Sequence, residues 1–104
     1  MGKINHCILV KWNETVTEKE ALLPGIRAIF DRTTGLDGVY GVKYLTNVTD
    51  RPNRYDLMIV VTMEADALSA YDHSEPHLTW KEKYSGLIAS KAIFDCMESM
   101  WADQ

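Results

Sequence analysis

The stretch 54–63 has the period of an extended strand, and both of its alternating sets are apolar at the centre. Tyr55, Leu57, Ile59, Val61 and Met63 fall on one face, and Asp56, Met58, Val60 and Thr62 on the other. Such a strand tolerates water on neither side, so the fold that contains it must supply cover twice. The stretch 4–12 makes the same demand: Cys7-Ile8-Leu9-Val10 is uninterrupted, with Ile4, His6, Ile8 and Val10 sharing a face. So does 88–97, through Ala92-Ile93-Phe94.

Between these strands the period changes. Thr17 followed by Glu20 is a capping-box signature, and Ala21, Leu22, Ile26, Ile29 and Phe30 continue it as a helical stripe to about Thr34. Pro24-Gly25 must kink or interrupt that helix. Gly35 and Gly38 end it and open a strand over 39–48, which Gly41 either weakens or marks with a bulge. Asp50-Arg51-Pro52-Asn53 is a turn by composition. Two helical stretches lie between 66 and 84, and the order is therefore strand, helix, strand, strand, helix, strand. Two right-handed crossovers around an antiparallel sheet give an α+β, ferredoxin-like βαββαβ sandwich, with the whole of 1–104 as a single domain. The helices suffice for one face of the sheet only. A second copy packed sheet to sheet is the simplest cover for the other, because soluble monomers rarely expose apolar patches that large.

Charge and hydropathy exclude several classes of function. The net charge of −4 among 104 residues leaves no basic footprint for nucleic acid or an anionic membrane. An RNA-binding module of this topology would put aromatics where the third strand has Met58, Val60 and Thr62. The longest aliphatic run, Leu57-Met58-Ile59-Val60-Val61, is far too short to span a bilayer, and the N-terminal stretch has no signal-peptide core. A cytoplasmic protein follows as the expectation, with no membrane partner. Cys7 and Cys96 have neither metal nor redox spacing, so reduced thiols are expected.

The stretch 71–84 carries the groups most able to do chemistry. Ser74 followed by Glu75 and Pro76 reads as a helix start, which puts His77 in the first turn. The positive end of the helix dipole disfavours imidazolium there, so His77 should be neutral near pH 7 and able to accept a proton. Tyr71 can supply a phenol donor nearby. The same residues also suit a plain helix–helix corner, with His6 as a hydrogen-bonded core histidine. A metal site would need His73 and His77 with Asp72 or Glu75, but Pro76 breaks the continuous helix that this spacing requires, so none is expected.

Taken together, several pieces resemble the stress-responsive dimeric α/β-barrel (Dabb) domain family. They are Ile4-Asn5-His6-Cys7-Ile8-Leu9-Val10-Lys11-Trp12, Val16-Thr17-Glu18 at the first helix, Tyr55-Asp56 at the third strand, Tyr71 before His77, and Ile93-Phe94-Asp95. The resemblance covers nearly the whole chain. It implies a homodimer whose two sheets form a barrel. Similar polyketide cyclases of this fold use a Tyr and a His at this spacing with a strand-one His, which carries over onto Tyr71, His77 and His6. Leu57 stands where such a cyclase has another His, and the family's His-Pro pair is rearranged here to His73-Ser74-Glu75-Pro76-His77, so the same substrate is not expected. Leu57, Ile59, Val61, Trp80 and Ile93 would line an apolar small-molecule pocket between helices and sheet. The enzyme reading makes His77 the base and Tyr71 an acid or enolate stabiliser for proton abstraction beside a carbonyl, as in a cyclase or lyase, with His6 orienting the substrate. Related barrels degrade haem or oxidise quinols. His77 could ligate haem iron, but nothing else in the chain points to haem, and no cofactor is expected. The non-enzymatic reading is a small-molecule-binding stress protein.

Overall fold

The computed structural model describes residues 2–97. Four strands, β1 (Lys3–Trp12), β2 (Val39–Thr46), β3 (Leu57–Glu64) and β4 (Ile88–Met97), form one antiparallel sheet in the order β2-β3-β1-β4. Helices α1 (Leu23–Phe30), α2 (Leu68–Asp72) and α3 (Glu75–Tyr84) supply the crossovers. This is the ferredoxin-like α+β arrangement expected from the pattern of strands and helices.

Local details depart from expectation for identifiable reasons. The first helix is divided: a 3-10 turn at Lys19–Leu22 leads into α1, and another at Asp31–Gly35 follows it. Pro24 sits in the first turn of α1, where its missing N–H costs nothing, so the α-helix starts at Leu23 and not beside Thr17. The Thr17–Glu20 capping box is not made, and Glu18 precedes the 3-10 turn without a side-chain cap. β3 opens at Leu57, later than the sequence pattern suggests. Asp56 is instead tied to β1, its amide donating to the Val10 carbonyl at 2.8 Å while its carboxylate accepts from the Trp12 amide at 2.8 Å. Gly38 adopts φ 83°, and a Cβ there would stand 3.0 Å from that of Ala67, so both backbone and packing require glycine. Gly41 marks a bulge, seen as a register shift between Val39 and Gly41.

The core lies between sheet and helices. Ile8, Val10 and Trp12 of β1 and Leu57, Ile59, Val61 and Met63 of β3 pack against Ile26, Ile29 and Phe30 of α1, Tyr71 of α2 and Trp80 of α3. Each large apolar side chain buried in this way contributes about 1.5–3 kcal/mol. Phe30 meets the Trp80 ring edge-on at 5.1 Å, and Tyr84 stacks on Trp80 at 5.2 Å.

The opposite sheet face has no cover within the described residues. Cys7, Leu9, Met58 and Val60 are half-buried there by their strand neighbours alone, and Leu45 and Phe94 are 47% and 62% exposed. Cys7 and Cys96 are free thiols on this face, and burial, followed by the neighbouring Cys96, raises the Cys7 pKa. Edge strand β4 is open on both sides. Ile93 pairs with Ile8 and so points to the helical side, yet it is 49% exposed because the helical layer does not reach over that edge. No helix among the described residues is long and apolar enough to cross a membrane. Met100 and Trp101, which the sequence places in a C-terminal tail, lie outside the described residues.

Candidate functional site

Ser74 shapes the corner between α2 and α3. With extended backbone at the N-cap of α3, its hydroxyl accepts from the His77 amide at 3.4 Å and donates to the Tyr71 carbonyl at 2.7 Å. Pro76 occupies the first turn of α3, as the sequence predicts. His77 Nδ1 then lies 3.0 Å from the Asp72 carbonyl, which can only accept, so Nδ1 carries the proton and Nε2 of the neutral ring keeps its lone pair. The His77 pKa is lowered, first by burial and further by Lys81 and Lys91, against the opposing pull of Asp72. The direction is the one expected from the helix start, but burial is its chief cause.

Tyr71 is fully buried between two imidazoles. Its ring centroid is 5.0 Å from that of His77 and 5.3 Å from that of His6, the latter an edge-on contact. The phenol oxygen is buried and has no hydrogen-bond partner among the described residues. Burial, and then the charge of Asp72, push the phenol pKa far up, so the group is a proton donor and not a phenolate. His6 is 6% exposed and holds Asp95 Oδ1 at 2.6 Å through Nδ1. The partner that an apolar strand face required for His6 is therefore Asp95, its register partner on β4.

The fold thus brings His6, Tyr71 and His77 into one contiguous stack, with Asp95 behind His6. The expected lining residues are distributed differently. Ile59, Val61 and Trp80 are core side chains at 0%, 0% and 1% exposure, and Ile93 stands at the open edge. Leu57 lines a cavity at the opposite end of the helix–sheet layer, bounded by β1, α1 and the β2–β3 loop. His73, considered as a metal ligand, is turned back onto the Ser69 carbonyl at 2.8 Å. Asp95 was not singled out as a site residue from sequence. Its signal was parity: it stands two residues from Ile93, on the strand face that His6 shares.

Chemically, the stack offers an imidazole acceptor at His77 Nε2, a neutral phenol donor at Tyr71, and a second imidazole held in orientation by a carboxylate. Those are the parts for binding an oxygen-bearing ligand and for moving a proton on it.

No family model and no curated protein matches the chain. Solved structures do. A dimeric ferredoxin-like protein of unknown function from Thermobifida fusca YX superposes with TM-score 0.75 at 17% identity, over 92% of each chain. A Dabb family protein with a ferredoxin-like fold from Mesorhizobium loti MAFF303099 gives TM-score 0.73 at 14% identity, over 93% of this chain and 97% of that one. The hydroxynitrile lyase from Passiflora edulis gives TM-score 0.72 at 12% identity, over 91% and 92%. At these identities the likeness is one of fold. The chain has the ferredoxin-like fold of a Dabb family protein, as the sequence motifs led us to expect.

Proposed function

We propose that this protein is a homodimeric small-molecule-binding domain whose His6–Tyr71–His77 corner takes a partly apolar compound bearing a carbonyl or phenolic oxygen. The observation that carries this reading is the Tyr71 hydroxyl, which is buried without a partner beside two imidazoles. An unpaired buried hydroxyl costs about 1–3 kcal/mol, a cost that a bound oxygen acceptor removes. The His77 ring is only partly buried, so the corner borders solvent on that side. The uncovered apolar sheet face and the dimeric character of the T. fusca neighbour support the homodimer. Free thiols and the acidic charge balance fit a cytoplasmic location.

A proton-transfer enzyme is the second reading, favoured by the likeness in fold to the P. edulis hydroxynitrile lyase. His77 Nε2 would take a proton from the substrate, and the Tyr71 phenol would stabilise the developing oxyanion. A panel of small phenols and aromatic ketones, screened by NMR shift perturbation, tests both readings. Binding should perturb His6, Tyr71 and His77 together and vanish in Tyr71→Phe and His77→Ala variants of undiminished melting temperature. Two variants that merely melt earlier, with no ligand found, would reduce the stack to core packing.

A further inference from the structure

The cavity bounded by β1, α1 and the β2–β3 loop has a volume of about 500 Å³, within the range of small-molecule sites. It is distinct from the His6 corner. His6 pairs with Val61 and Val10 with Leu57, so the two sites are separated by four residues along β3, or about 13 Å, with buried Ile8 and Ile59 between them.

We propose that this cavity is a second binding site, and that it takes a small apolar carboxylate. Its inner wall is apolar, made by Trp12, Leu23, Ile26 and Leu57. Around the mouth stand Lys11, Lys19, Arg51 and Arg54, a concentration of cations in a chain whose net charge is −4. Glu20, Asp50 and Asp56 share the lining, so the cations exceed the carboxylates by a single charge, a balance suited to a monoanion.

The hydrogen bonds show which cations are available. Lys19 is spent on Asp56 at 2.8 Å. Lys11 donates to the Pro52 and Arg54 carbonyls at 3.0 and 2.9 Å, which clamps the loop to β1 and leaves the third ammonium N–H for a ligand. Arg51 has no side-chain hydrogen bond or ion pair among the described residues, and its planar fork suits a carboxylate. A shallower depression shares Glu20, Leu23 and Thr46 with the cavity and continues along α1 past Pro24 to Arg27, giving room for an extended tail.

Calorimetric titration with decanoate below its micelle concentration tests the assignment, with decan-1-ol as the neutral control of equal length. Decanoate should bind saturably, and decanol about tenfold more weakly for want of the charged head. Arg51→Gln, at an exposed loop position, should weaken decanoate about fivefold. Thr46→Trp, exposed on the rim, should plug the cavity and abolish binding without lowering the melting temperature. His77→Ala should bind decanoate as before. Absence of saturable binding, equal affinity for decanol, or binding that survives Thr46→Trp would overturn the proposal. Loss of binding in His77→Ala would do so too, by moving the ligand to the other site.

Discussion

His6 Nδ1 lies 2.6 Å from Asp95 Oδ1 across the β1–β4 pairing, joining a buried imidazole to a carboxylate on the open edge strand. The carboxylate accepts, so the imidazole donates from Nδ1, and removing Asp95 would leave a buried donor with no partner. Asp95→Ala should therefore cost about 1–2 kcal/mol of stability, while Lys91→Ala, exposed on the same strand face, should change it by less than about 0.5 kcal/mol. Chemical denaturation of the two variants makes the comparison. Equal effects would mean that the His6–Asp95 contact adds nothing to the fold.

Tyr71 supports an opposite kind of prediction. Its ring is part of the core, but its hydroxyl is buried and unpaired, so Phe keeps the packing and discards the cost. Tyr71→Phe should stabilise the protein by about 1 kcal/mol while removing ligand binding at the His6–His77 corner. A variant less stable than the parent would show that the hydroxyl has a partner in solution and would remove the main support for a ligand there.

How much of this was legible in the chain varies with the range of the interaction. Alternation in β1 and β3 told which residues share a face, and Ser74-Glu75-Pro76 announced the start of α3, because both signals are local. The Thr17–Glu20 capping signal was equally local but lost to a stronger one, since Pro24 dictates where the α-helix begins. The start of β3 was misplaced because Asp56 is claimed by the Trp12 amide and Lys19, partners distant in sequence. Ile93 looked like a pocket residue because periodicity cannot tell an edge strand from a central one. Asp95 acquires its role only through β1–β4 register, and the cavity at Leu57 depends on how the β2–β3 loop folds back onto Lys11.

The depressed pKa of His77 makes stability depend on pH with a definite sign. Burial favours the neutral ring, so the folded state takes up its proton at lower pH than the unfolded chain, whose histidine titrates near 6.5. The stabilisation is fully present above that value and is lost as pH falls through it. The stability difference between the wild type and His77→Gln should therefore shrink between about pH 8 and about pH 5. Denaturation curves across that range give the sign directly. A difference that grows on acidification would mean that the Asp72 carbonyl and charge outweigh burial.

The uncovered sheet face leads to the last expectation. Val60 pairs in register with Cys7 on one side and Lys43 on the other, and Leu9 with Met58 and Ala92, so an apolar patch runs across the sheet with nothing from the helices above it. A second copy laid on this face would bury it in an interface of about 1,200–2,000 Å² or more. Val60→Asp would put a carboxylate into that contact, where its desolvation cost far exceeds what the flanking Lys43 returns. The variant should weaken the dimer about 100-fold or more while leaving the helix-side core, which Val60 does not touch, intact. Sedimentation velocity at micromolar concentration separates the outcomes: a dimeric wild type and a monomeric, folded Val60→Asp support the interface. A wild type that sediments as a monomer, or a variant that remains dimeric, would place the partner surface elsewhere on the molecule.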